Sequence, residues 1–398
     1  MDHPSHLEHR RLLLKFLLGS PLLSLAACGS PSEKTATAKT INDLIDKASD
    51  ALDVFDFEKL AKSKLPSAHY GYLATGVDGD RTLQANRDAF DKVKLRMRRL
   101  IDPTSVDMSV TLFGREHPTP IYLTPLSSQR AFHEDGELAT ARAAKAKNHL
   151  MALSTVTTTS IEDVTKERGA PVWYQLYALN DWEATKDMIR RAEDAGSEVL
   201  VFTVDVAAGR NTVTLERMRR IDTRDCNKCH GDNRFERKPM VSKKAGIEFE
   251  RKLTWDYVDQ LKDATKLKLV IKGLETAEDA QLALKHGADG IVVSNHGGRA
   301  SETGRGTLES LPEMAAVINK RIPILIDGGF RRGTDIFKAL ALGADAVGIG
   351  RPYIWGLASF GQEGVEAVLQ IMRDELALVM AQAGTHSIKD INSSYIAS

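Results

Sequence analysis

The chain has 398 residues with Lys+Arg 54 and Asp+Glu 54, a formal net charge of zero, which argues against general nucleic-acid binding, where a basic excess supplies affinity. With 42% hydrophobic residues, 29 Gly, 13 Pro and 3 Cys, it is not disordered throughout, collagen-like or a disulfide-stapled scaffold. The length suits two or three average domains, but an α/β barrel takes it as one.

His9-Arg10-Arg11-Leu12-Leu13-Leu14-Lys15 precedes Phe16-Leu17-Leu18 and the stretch from Ser20 to Ala27-Cys28. A cationic start, a short apolar run and small residues predict an export signal over residues 1–28. Lys15 and Pro21 break the run too early for a membrane-spanning helix. The paired arginines resemble a twin-arginine signal, which exports folded and therefore cofactor-loaded protein. Leu25-Ala26-Ala27-Cys28 resembles a lipobox, with Cys28 lipidated; a plain cleaved signal with an incidental Cys28 is the alternative. Residues 29–50, rich in Ser, Thr, Lys and Ala, read as a flexible tether. The expectation is an exported protein on the periplasmic face, held to the membrane by a lipid anchor only.

From about residue 120, short apolar runs alternate with stretches of helical period. The runs are 120–124, 150–154, 172–177, 199–203, 269–272, 290–294, 323–327 and 346–350. Continuous rather than alternating apolar character marks strands covered on both faces, as in a parallel sheet. Eight β-α units predict a (β/α)8 TIM barrel over residues 51–398. An open doubly wound sheet fits less well, because no G-x-G-x-x-G follows the first strand. Between the fourth and fifth barrel strands a long stretch, 206–253, lacks a strand and reads as a lid.

Barrels do their chemistry at the carboxyl ends of the strands. There the sequence places Gln175 and Tyr177, Thr203 and Asp205, Lys272, Asn295-His296-Gly297-Gly298-Arg299, Asp327-Gly328-Gly329-Phe330-Arg331, and Gly350-Arg351. Two basic glycine loops after strands seven and eight suit a phosphate, which backbone N–H groups approach and Arg331 or Arg351 neutralises; glycines serving only tight turns are the plainer reading. His296 is a candidate base, Asp205 its orienting carboxylate, Arg299 a carboxylate clamp and Lys272 a stabiliser of developing negative charge. Together they describe oxidation of a 2-hydroxy acid on a phosphate-anchored cofactor.

The segments Ser294–Arg299, Asp327–Asp335 and Ala346–Pro352 resemble the FMN-dependent 2-hydroxy-acid dehydrogenases and oxidases, in order and spacing, over about residues 54–395. The resemblance implies FMN as cofactor and His296 as the catalytic base partnered by Asp205. It implies that Arg299 and Tyr72 bind the substrate carboxylate, that Tyr177 lies near its hydroxyl, and that Lys272 faces the flavin. It implies flavin contacts from Ser154, Gln175, Thr203 and Ser294, and from the segment Thr124-Pro125-Leu126-Ser127. It assigns the phosphate and ribityl site to Asp327, Gly328, Gly329, Arg331, Gly350 and Arg351. Arg210 stands for a second carboxylate-binding arginine, in a segment one residue shorter than the family's. Ser127 replaces a common Ala or Gly, and Val156 a residue that is aromatic in some members. A homo-oligomer is expected by analogy.

Cys226-Asn227-Lys228-Cys229-His230, in the lid, has the spacing of covalent haem c attachment, with Met218 and Met240 as candidate distal ligands. A local disulfide, or a metal site short of one ligand, is the alternative. No other metal centre is expected. The expected function is oxidation of an (S)-2-hydroxy acid, L-lactate foremost, to the 2-oxo acid, with electrons passing to a haem, a cytochrome or a quinone. The rivals are an oxidase that reduces oxygen to peroxide and a lipid-anchored binding protein without catalysis.

Overall fold

The computed structural model describes residues 45–102, 104–223, 238–242 and 246–397. The chain divides into two units, 1–43 and 44–398, so the signal segment, with Cys28, lies outside the described residues, as do Cys226, Cys229 and His230. The body starts slightly ahead of the expected boundary. Ala48–Asp50 forms a 3-10 turn, and Ala48 is buried in the main core.

The strands are β1 (Val110–Leu112), β2 (Arg115–His117), β3 (Ile121–Leu123), β4 (Leu150–Ser154), β5 (Trp173–Leu176), β6 (Val199–Thr203), β7 (Lys268–Leu274), β8 (Gly290–Val293), β9 (Ile324–Asp327) and β10 (Ala346–Ile349). β3 to β10 are parallel neighbours and close into an eight-stranded barrel, β10 pairing with β3. The predicted (β/α)8 barrel is therefore observed, each predicted run coinciding with one strand, and β7 extending beyond its run at both ends. Every residue of β4 and β6 is buried, because one face meets the barrel interior and the other the helical layer.

Side chains alternate along a strand, and that alternation builds the site. The barrel floor is an apolar cluster that includes Tyr122, Ala152, Trp173, Val201, Val270, Val292, Leu325 and Ala346, one from each strand. Two residues further along, on the same inward row, stand Thr124, Ser154, Gln175, Thr203, Lys272, Ser294, Asp327 and Gly348. The apolar floor thus gives way to a polar mouth within one pleat. The β1–β2 hairpin, which the sequence reading missed, plugs the amino end. Phe113 at its turn packs edge-on against Trp173, with ring centroids 5.4 Å apart.

Within the lid, Val213–Arg220 is helical. A Cβ on Gly71 would sit 2.9 Å from Met218 Cβ and Sδ, so Met218 is engaged against the helix Ser67–Ala74. Met240 is 2% exposed and belongs to the main core. Packing therefore accounts for both methionines.

Candidate active site

A cavity of about 760 Å³ opens at the carboxyl ends of the strands. Its lining includes Tyr72, Thr124, Pro125, Leu126, Ser127, Ser154, Tyr177, Lys272, His296, Arg299, Asp327, Gly328, Gly329, Arg331, Gly350 and Arg351, with Leu73, Gly297, Phe330 and Gly348 between them. An adjoining cavity of about 1410 Å³ shares Tyr72, Ser127, Tyr177, His296 and Arg299. Arg210, Thr203 and Val156 line this outer space. Of the remaining predicted residues, Gln175, Ser294 and Asp205 support the wall. Glu58, Arg87 and Lys238, which surround it, were not predicted from sequence, since nothing in their local pattern separates them from surface charges.

His296 sits on a loop with three consecutive positive φ angles, +58°, +64° and +79° through Gly298. Only glycine takes this backbone without strain, and a Cβ at Gly298 would lie 2.5 Å from Leu83 Cα. The loop is pinned by a reciprocal amide pair. Asn86 Nδ2 donates to Asn295 Oδ1 at 2.9 Å, and Asn295 Nδ2 donates to Asn86 Oδ1 at 3.0 Å.

His296 Nδ1 lies 2.9 Å from Asp205 Oδ1. With a carboxylate as partner, Nδ1 carries the proton and the Nε2 lone pair faces outward, 3.3 Å from the Tyr177 hydroxyl. Burial lowers the His296 pKa below 6.5 and outweighs the attraction of Asp205, so the imidazole is neutral near pH 7. Burial pushes the Asp205 carboxyl up, but His296, Lys272 and Arg210 together bring it below 3.8. Asp205 is thus charged, and it stabilises the imidazolium once His296 gains a proton.

Asp205 reaches this position because β7 carries a bulge between Lys272 and Leu274. At the bulge Gly273 has φ +106°, and a Cβ there would lie 2.6 Å from Asp205 Cβ. Beside it, Lys272 Nζ donates to Ser294 Oγ at 2.8 Å and pairs with Asp327 Oδ2 at 3.3 Å. Ser294 Oγ in turn donates to Asp327 Oδ1 at 2.6 Å.

Arg299 is held over the Tyr72 ring, 4.2 Å from its centroid, and its Nη1 donates to the carbonyls of Tyr72 and Thr75 at 2.6 and 3.0 Å. Its Nε is buried without a partner. The Tyr72 hydroxyl is 2.8 Å from Ser127 Oγ. Burial raises its pKa, but Arg299, Ser127, Arg210 and Lys238 bring it below 10. This corner is a preformed anion receptor whose arginine and phenol are already oriented. Arg210 acts on Tyr72, Tyr177, Asp205 and His296 together, so the shorter segment still delivers its charge to the site.

The opposite end carries Arg331 and Arg351. Arg331 is 7% exposed, and its guanidinium lies 4.6 Å from the Trp355 ring centroid. Neither arginine forms a salt bridge among the described residues. Burial, joined by Arg87, pulls Arg331 down to about 10, and burial with Arg331 and Arg299 pulls Arg351 down to about 9. Two guanidiniums that repel each other and form no salt bridge among the described residues, beside the helix that starts at Arg351, suit a dianion.

Residues 61–398 match the family model for FMN-dependent dehydrogenases. The chain belongs to this family. A 2-hydroxyacid oxidase from Dictyostelium discoideum is 39% identical over 377 residues, covering 92% of this chain and 96% of the relative. Glycolate oxidase from Spinacia oleracea is 41% identical over 358 residues, covering 87% and 95%. The crystal structure of a mandelate oxidase with (S)-2-phenylpropionate is similar with a TM-score of 0.76 at 37% identity, covering 86% of this chain and 97% of that one.

The residues present fit FMN. Gln175 Nε2 and Thr203 Oγ1 are buried without partners in the mouth, as donors awaiting a polar ring edge would be. The unpaired Arg331 and Arg351 suit its phosphate. Gly348 and Gly350 line the space between Thr124 and the phosphate end, where side chains on β10 would fill it. FMN, when bound, takes up the two electrons removed from substrate. This member of the FMN-dependent dehydrogenase family oxidises 2-hydroxy acids. The arrangement suits that chemistry: Arg299 and Tyr72 are oriented to receive a carboxylate, and His296, held by Asp205, has its Nε2 free to accept a proton.

Proposed function

We propose that the protein is a 2-hydroxy-acid oxidase, converting an (S)-2-hydroxy acid and oxygen into the 2-oxo acid and hydrogen peroxide. The observation carrying the substrate class is the buried Asp205–His296 pair, with Nδ1 and Oδ1 2.9 Å apart, facing the Arg299–Tyr72 receptor across one cavity. The choice of oxygen is supported by the relatives, which are named 2-hydroxyacid, glycolate and mandelate oxidases. This departs from the sequence-based expectation of an L-lactate dehydrogenase feeding a haem, cytochrome or quinone. The test is turnover of glycolate, L-lactate and (S)-mandelate in air, with peroxide counted against 2-oxo acid. One peroxide per product supports the reading. Turnover only with an added one-electron acceptor overturns it.

A second reading, electron transfer to a haem, rests on Cys226-Asn227-Lys228-Cys229-His230. Sharp haem absorption bands in the purified protein would support it. We also infer, from residues 1–28 alone, export with lipidation at Cys28; loss of membrane retention in Cys28→Ala is the expected result, and unchanged retention refutes it.

A further inference from the structure

We propose that the preferred substrates are 2-hydroxy acids whose side chain ends in a second anionic group, which Arg219, in the lining of the outer cavity, receives. The inference rests on the 2-hydroxy-acid reading and narrows it.

The reacting end of the substrate is fixed by Arg299, Tyr72 and His296, which both cavities share. A side chain on the reacting carbon therefore points into the larger outer space, which is open to solvent. A methyl group or a hydrogen leaves most of that space unused. Its lining includes the apolar residues Val156, Val206, Leu215 and Leu253. Among the described residues its charged lining is unbalanced, with Arg210, Arg219, Arg251 and Arg299 against Glu248 and Glu250. The wall thus combines apolar side chains with a cationic excess among the described residues.

Arg219 is the cation best placed to meet a distal anion. It stands in the last turn of the lid helix Val213–Arg220, while Leu215 anchors that helix at 2% exposure. Among the described residues its carboxylate partner is Glu216, a turn earlier on the same helix. Such a half-exposed i,i+3 pair is a weak tie that leaves the guanidinium able to take a bidentate carboxylate. Its charge is felt at Arg299, so it belongs to the same electrostatic space as the reacting carboxylate. Two anions spaced along one substrate would separate these two arginines, which otherwise repel each other.

The test compares (S)-2-hydroxyglutarate with (S)-2-hydroxyvalerate in the FMN-loaded enzyme, as wild type, Arg219→Ala and Arg219→Lys. The wild type is expected to favour the dicarboxylate in kcat/KM by about tenfold, the low end for one charge-assisted hydrogen bond. In Arg219→Ala that preference is lost through KM, with kcat and the valerate reaction unchanged, and Arg219→Lys restores part of it. A wild-type ratio at or below one, or a ratio unchanged in Arg219→Ala, overturns the inference. Glycolate or L-lactate turned over while the dicarboxylate is refused also overturns it, and leaves the 2-hydroxy-acid reading intact. Failure of every 2-hydroxy acid removes both.

Discussion

Asp205 and Gly273 are locked together: the backbone of Gly273, at φ +106°, leaves no room for a Cβ, which would lie 2.6 Å from Asp205 Cβ. The bulge in β7 thus supports the candidate site, since it leaves room for the carboxylate to pair with His296. Gly273→Ala should lower the stability of the folded protein by about 1–3 kcal/mol through the left-handed backbone alone. It should also lower kcat by displacing Asp205. Thermal unfolding and steady-state kinetics on the same preparation check both effects, and a variant as stable and active as wild type contradicts the account.

The acid limb of kcat/KM should report His296. Burial lowers its pKa below 6.5, and only the neutral imidazole can take a proton, so activity falls as pH drops through a midpoint below 6.5. Removing the Asp205 charge takes away a partner that raises that pKa, so Asp205→Asn should move the midpoint lower still. It should also cost about 10²–10⁴ in kcat, the range for a disabled general base. A pH profile with its midpoint above 6.5, or one that moves upward in Asp205→Asn, contradicts the assignment.

Arg331 and Arg351 are expected to hold the phosphate of FMN. Arg351→Met should weaken FMN binding by roughly tenfold or more, the scale of a lost charge-assisted contact. The apo-protein should also lose some stability, because Arg351 donates to the backbone carbonyls of Leu73, Gly297 and Thr75, which the variant leaves without that partner. Melting curves with and without added FMN separate the two effects. Wild type gains stability from the cofactor, and the variant gains less.

Arg299→Lys tests the carboxylate receptor. A lysine keeps the charge but loses the planar fork that lies on Tyr72, 4.2 Å from its centroid, and bonds two carbonyls. KM for a simple 2-hydroxy acid should rise by about 10–100-fold, with a smaller change in kcat. Unchanged KM would mean that the substrate carboxylate lies elsewhere.

The barrel was legible because its strands are continuous apolar runs bounded by polar residues at one end, as in Val199-Leu200-Val201-Phe202-Thr203. The polar mouth was legible for the same reason, since inward residues follow the floor residues two positions on. The β1–β2 hairpin was not. Its strands are three residues long, and Arg115-Glu116-His117 carries no apolar period; what holds it is Phe113 against Trp173, a contact between distant segments. The lid helix Val213–Arg220 escaped notice because its sequence is basic with only Leu215 buried. Tyr72 came from resemblance alone. It sits on a short helix ahead of the barrel and joins the site through its carbonyl contact with Arg299. The phosphate end was legible in its glycines and arginines, but Glu58 and Arg87 were not, because their roles depend on where the first helices dock.

The most direct measurement is the absorption spectrum of the FMN-loaded enzyme, mixed anaerobically with a 2-hydroxy acid and then exposed to air, in wild type and His296→Ala. The account predicts rapid bleaching of the flavin band in wild type, its return in air with one peroxide per 2-oxo acid, and bleaching slowed at least about 10²-fold in the variant. Equal bleaching rates in the two proteins would contradict the central claim that His296, oriented by Asp205, is the base.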